Sequence, residues 1–191
     1  VKNALPNFRF AAIDSMTNCM EMGWPAIAAA KAAKTGASLD DCIQAANTSL
    51  HSTRFVFAPE SLLFLQKGGR IGKAAALIGN MISLTPVLTV NDGEASTFSK
   101  CRTQKKALAK MLQVLGEDTA PSGLKNLVVH YIGSKAPAAK WAEEKVAPLI
   151  GFMPRVVPAS PVIGVHVGPA MGIAYECNAP IPNKFHNSEP E

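Results

Sequence analysis

The segment 67–94, KGGRIGKAAALIGNMISLTPVLTVNDGE, constrains the fold of this chain more than any other stretch. Adjacent glycines at Gly68 and Gly69, followed by Arg70, suit a tight turn that brings main-chain N–H groups close to a neighbour. The spacing of Ala74, Leu77, Ile78, Met81 and Ile82 predicts a helix over 73–82 with one apolar stripe. Pro86 ends it, the β-branched run 86–90 reads as a strand, and Asn91-Asp92-Gly93 is hairpin-turn chemistry because all three residues tolerate positive φ. By itself the unit is a helix–strand–hairpin piece of a core.

The length of 191 residues suffices for one large domain, and 48% apolar against 17% charged residues excludes a disordered chain. No apolar run is long enough to span a bilayer, and the first residues lack the basic–apolar–small pattern of a signal peptide, so a cytoplasmic protein is expected. Cys19, Cys42, Cys101 and Cys177 lie far apart without a CxxC or Cys/His cluster. Neither a metal site nor a disulfide framework is indicated.

The net charge of +5 raises the question of nucleic acid. Its one cluster, Lys100, Arg102, Lys105, Lys106 and Lys110, has no interleaved aromatics and reads equally well as the wet side of a helix. Anionic small ligands or an acidic protein suit the charge better than DNA.

In chain order, 8–13 reads as a strand ending at Asp14-Ser15, where α/β sheets place ligands. An alanine-rich helix at 24–34 stops at Gly36, and a second helix is capped by Ser38. One strand cannot make a sheet. Residues 1–52 are therefore expected to be the C-terminal portion of a parallel α/β domain. A second unit, 53–191, should contain strands at 55–57, 86–90, 95–100, 127–132, 155–157 and 171–175. Its helices are expected at 60–66, 73–82, 103–115 and 138–150, with 116–123 a loop and a loose proline-rich tail from about 179. This order describes an α/β sandwich with a mixed sheet.

No GxSxG, HExxH or Walker pattern occurs. His130 reads as a structural histidine within a strand. His166 sits between glycines in GVHVGP, on a backbone able to approach a ligand closely, although the residues alone favour a core histidine.

The motifs IDS at 13–15, LQKGGRIGKAAALIGNMISLTPVLTVNDGE, KCRTQKKAL at 100–108 and GVHVGPAMGIAYE at 164–176 occur in an order that resembles the DegV family of bacterial fatty-acid-binding proteins. The resemblance covers nearly the whole chain, implies that family's two-domain EDD fold, and lacks the N-terminal segment with its carboxylate-holding hydroxyls. A truncated member or fragment is expected.

What the resemblance implies is a carrier and not an enzyme, with no cofactor. The expected partners are a long-chain fatty acid held between two domains and the ATP-binding subunit of a fatty acid kinase, to which its carboxylate is presented for phospholipid synthesis. Arg102 and His166 correspond to carboxylate-side residues, with Gly168 and Pro169 in the same run as His166. Leu77 and Met81 would wall the tunnel, Gly68, Gly69 and Arg70 would form a loop at the domain junction, and Asp14-Ser15 would mark the first domain's strand end. Where the family has serine and then glycine after IDS, this chain has Cys19 and Glu21, and Thr85 stands where a basic residue often precedes the proline. The alternative is an interaction module that has lost its ligand.

Overall fold

A computed structural model describes residues 8–83, 85–182 and 184 and, within 78–83, the backbone alone. Its centre is the strand β1 (Thr53–Pro59), whose seven residues are all buried. Val56 and Ala58 point to one face and Phe55 and Phe57 to the other, so both faces of the sheet must be covered. The following strands are β2 (Val87–Asn91), β3 (Glu94–Ser99), β4 (Leu124–Ile132), β5 (Arg155–Pro158) and β6 (Ala170–Cys177). Across the sheet they run β3-β2-β1-β6-β4-β5, antiparallel except for the parallel pair β4 and β5. The hairpin between β2 and β3 turns at Asp92 and Gly93, both at positive φ, as the Asn-Asp-Gly sequence requires.

One face is covered by α4 (Gln104–Ser122) and by α5 (Lys135–Trp141), which continues through a π turn (Ala142–Val146) into α6 (Ala147–Ile150). Ala107, Met111, Leu115, Trp141 and Val146 fill that layer. On the other face lie α1 (Cys19–Lys34), α3 (Leu63–Lys67), a 3-10 helix (Gly72–Ser83) and α7 (Pro161–Val167), which supply Trp24, Leu65, Leu77 and Val167. The remaining helix, α2 (Leu39–His51), packs against α1 and starts with a capping box between Ser38 and Asp41.

Three buried polar groups tie these layers together. Asp118 of α4 accepts from Arg54 Nε and from the Tyr175 hydroxyl, each at 2.6 Å. Glu176 accepts from Ser49, Lys125 and Asn126, so α2 is fastened to the sheet. Glu21 of α1 pairs with Lys184 at 3.0 Å and accepts from Thr17. Burial pushes the Glu21 carboxyl up and the Lys184 ammonium down, each partly offset by the other charge.

The structure departs from the sequence-based expectations at several points. Residues 8–18 form no strand, and Phe8, Phe10 and Ile13 are exposed. Residues 116–122 are the last turns of α4 and not a loop, because Asp118 is anchored by Arg54 and Tyr175 while Thr119 Oγ1 donates to the Leu115 carbonyl. Gly123, at φ 65, ends that helix. Residues 161–167, for which no helix is expected ahead of the strand at 171–175, are helical, with Ser160 as the cap. The helix over 73–82 is a 3-10 helix, and the buried pair Ala74 and Leu77 follows its three-residue period. The tail expected to be loose from about 179 is docked at Ile181, which is buried and donates its N–H to the His51 carbonyl, and at Lys184.

Candidate functional site

The sheet face that carries Phe55 and Phe57 is only partly covered, and the gap is a cleft of about 250 Å³. Phe57, Leu65, Val90, Ala95, Ile163 and Val167 give it apolar walls, while Arg70, His166 and Glu94 bring its charged or titratable groups. A slot with about 20 Å³ of free space adjoins it, sharing Asn18, Phe57, Ile163 and Val167 and running on to His130 and Gly172.

Local sequence explains the rim. The glycine pair closes α3: Gly69, at φ +66, lets the Arg70 N–H return to the Leu65 carbonyl at 2.9 Å. The N–H groups of Gly68 and Gly69 are thus spent on the helix end and do not reach outward as the sequence suggested. Arg70 remains exposed, with Nη1 donating to the Gly68 carbonyl. His166 is half-buried in the last turn of α7, and Gly168, at φ +69, turns the chain into β6. The Phe64 ring of α3 lies against Gly168, so close that a Cβ there would stand 2.3 Å from it. This contact and that of Gly68 with the His166 ring lock α3 and α7 into one wall.

The structure therefore brings together His166, Gly69 and Arg70, with Gly68 directly behind His166 and Gly168 behind Phe64. Pro169 serves the turn, its carbonyl accepting from the Glu60 N–H. Other expected site residues lie elsewhere. Arg102 is exposed on the loop that opens α4, the helix of the opposite face, and lines neither cavity. Leu77 is buried in the core and lines neither cavity, and the Met81 side chain lies outside the described residues. Asp14 and Ser15 belong to an irregular segment, with Asp14 accepting from the Met16 N–H, and Met16 in turn is bonded to Gly93 at the cleft edge. Neither Arg102 nor Asp14 nor Ser15 is among the residues that line the cleft with His166.

Glu21 does not oppose an anion in the cleft, because its carboxylate is committed to Lys184 and Thr17. Cys19, at φ 53, lines the slot with its thiol pushed up to about 12 by burial and by Glu21. A neutral thiol of that kind is a small apolar lining group. Two residues that line the slot are not among the expected site residues: Asn18, and His130, which reads as a structural histidine. Among the described residues no group of His, Cys, Asp and Glu could hold a metal, and no helix is long and apolar enough to cross a membrane.

A family model described as an uncharacterised protein of the DegV family matches residues 1–178. A DegV domain-containing protein of Clostridium acetobutylicum is 46% identical over 169 residues, covering 85% of this chain and 57% of its own length. Among solved structures, DegV of Bacillus subtilis, described as a fatty acid binding protein, superposes with a TM-score of 0.76 at 32% identity, covering 87% of this chain and 60% of that one. A DegV family protein from Thermus thermophilus, described by its fatty acid binding, gives a TM-score of 0.76 at 25% identity over 92% of this chain and 63% of that one. The chain thus spans roughly three-fifths of the proteins it matches, with the mixed α/β fold they share. The family match, the 46% identity and the shared fold agree: this chain belongs to the DegV family.

Proposed function

We propose that this chain is part of a cytoplasmic carrier of a long-chain fatty acid, with the acyl chain lying in the cleft and the carboxylate at the rim beside Arg70 and His166. The observation that carries the reading is the combination of apolar walls with an arginine and a histidine at one edge of a 250 Å³ cleft. Burying an alkyl chain there yields about 0.8 kcal/mol per CH₂, and an exposed arginine fork suits a carboxylate that stays in reach of solvent. Glu94 on the same cleft keeps the anionic end away from the β2–β3 hairpin and favours the α3–α7 edge. The description of the Bacillus relative as a fatty acid binding protein supports the same ligand class.

A carrier that holds its carboxylate at an open rim can hand it to a second protein, and the expected recipient is the ATP-binding subunit of a fatty acid kinase. Native mass spectrometry of gently purified protein tests the ligand. A retained acyl chain supports the carrier, and adding a kinase subunit with ATP should then yield acyl phosphate. Protein that stays empty when offered palmitate favours an interaction module instead, a reading to which the exposed Phe8, Phe10 and Ile13 also lend themselves.

A further inference from the structure

Two buried polar groups in the slot beside the cleft lack a hydrogen bond of good geometry among the described residues. They are the Asn18 Oδ1 and the His130 ring, at both of its nitrogens. Such groups cost free energy when shut away from water, so each calls for a reason.

Asn18 has a local alternative that it forgoes. It is the N-cap residue of α1, where an asparagine side chain ordinarily accepts from the first turn, yet it makes no cap bond and lines both the slot and the cleft. His130 is 6% exposed, and its ring meets Phe55 edge-on at 5.8 Å. In the sheet, His130 and Phe57 flank Gly172 on its two sides. The missing side chain of Gly172 leaves room for the Phe55 ring edge, which would stand 3.0 Å from a Cβ there, and Gly172, Phe55, Phe57 and His130 together line the slot.

The slot's chemistry selects the class of group it can take. No lysine or arginine lines it, so an anion would be buried without a counter-charge. Burial also pulls the His130 imidazole down to about 4; the nearby Val157 main chain offsets this in part without closing a hydrogen bond of good geometry. A neutral imidazole offers one N–H donor and one acceptor nitrogen, and Asn18 Oδ1 adds a second acceptor. A hydroxyl, which both donates and accepts, satisfies that set. Free space of about 20 Å³ admits a group of that size and not an alkyl chain.

We propose that the slot is a subsite for an oxygen substituent on the bound chain, so that the preferred ligand is a hydroxy fatty acid whose hydroxyl bonds His130 and Asn18 while its alkyl chain lies in the cleft. The proposal rests on the fatty-acid reading above. It adds a choice among acyl chains that an unbroken apolar tunnel would not make.

Isothermal titration of the purified chain with palmitate and with its positional monohydroxy isomers tests it. One isomer is expected to bind about tenfold more tightly than palmitate, the gain of a good buried hydrogen bond. In His130→Leu the ratio of the two affinities should fall to about one, and in Asn18→Ala it should fall part of the way. The ¹⁵N signals of the His130 ring should shift with the preferred isomer and not with palmitate. Equal binding of palmitate and every isomer would mean that a water occupies the slot and would overturn the proposal, as would a preference that survives His130→Leu. Binding of palmitate with no preference leaves the carrier standing and removes this inference alone, whereas binding of no chain removes both.

Discussion

Gly68 and His166, nearly a hundred residues apart, touch so closely that a Cβ on Gly68 would stand 2.8 Å from the imidazole Nδ1. Gly68 itself is unstrained at φ −78 and ψ −4, so any residue could adopt its backbone. The glycine is needed for the ring beside it. Gly68→Ala should therefore displace His166, separate α3 from α7 and cost about 1–3 kcal/mol of stability by overpacking. Gly69→Ala is the control: at φ +66 with open space around it, it should cost about 1–2 kcal/mol of backbone strain and leave the cleft as it was. Urea unfolding gives both costs, and the His166 ring signals in NMR should move in the first variant only.

His130 predicts a loss of stability in acid. Its folded pKa of about 4 lies below the ordinary 6.5, so between those values the unfolded chain takes a proton that the folded chain refuses. Stability is then complete above pH 6.5 and falls as the pH drops toward 4, by about 3 kcal/mol for a shift of this size. His130→Leu should flatten that part of the pH profile, as measured by denaturant midpoints. An unchanged profile would mean that the ring is protonated at its ordinary pH in the folded protein.

The charge of Asp118 compensates Arg54, and both are buried. Asp118→Ala should cost about 3–5 kcal/mol because it strands a guanidinium whose Nη2 already lacks a partner. Tyr175→Phe removes one donor to the same oxygen and should cost about 1.5–3 kcal/mol. Thermal melts that rank Tyr175→Phe as the worse of the two would contradict this order.

Proteolysis should begin between Phe8 and Met16. That segment is irregular and mostly exposed, while Ser52, Thr53 and Arg54, at the junction of α2 and β1, are buried. Mass spectrometry of early fragments should show loss of the first residues before any cut near 51–54. An early cut at that junction would instead mark 1–52 as a separately opening unit.

Arg70 and Arg102 make opposite predictions for ligand binding. Arg70 lines the cleft, so Arg70→Ala should weaken palmitate binding by about three- to tenfold, the worth of an exposed charge-assisted bond. Arg102, exposed on the loop before α4, should change it less than twofold. Titration of the two variants side by side decides between the cleft edge and the resemblance-based assignment.

Local chemistry was enough to read β1, the Asp92-Gly93 turn and the Ser38 cap, because each depends on residues a few positions apart. The family was legible for a related reason, since ordered motifs survive in sequence without knowledge of contacts. What only the tertiary structure decided are the features in which distant residues meet. Helix α4 runs past Gly116 because Arg54 and Tyr175 hold Asp118. His166, in a glycine-flanked run ahead of the last strand, is helical because Ser160 caps a helix that packs on α3, where Gly68 and Gly168 make the room. Arg102 reads like a site residue, yet the layer order assigns its helix to the other face of the sheet. Asn18 and His130 show no signal in sequence, since a missing hydrogen-bond partner is a property of a place in the fold and not of a residue type.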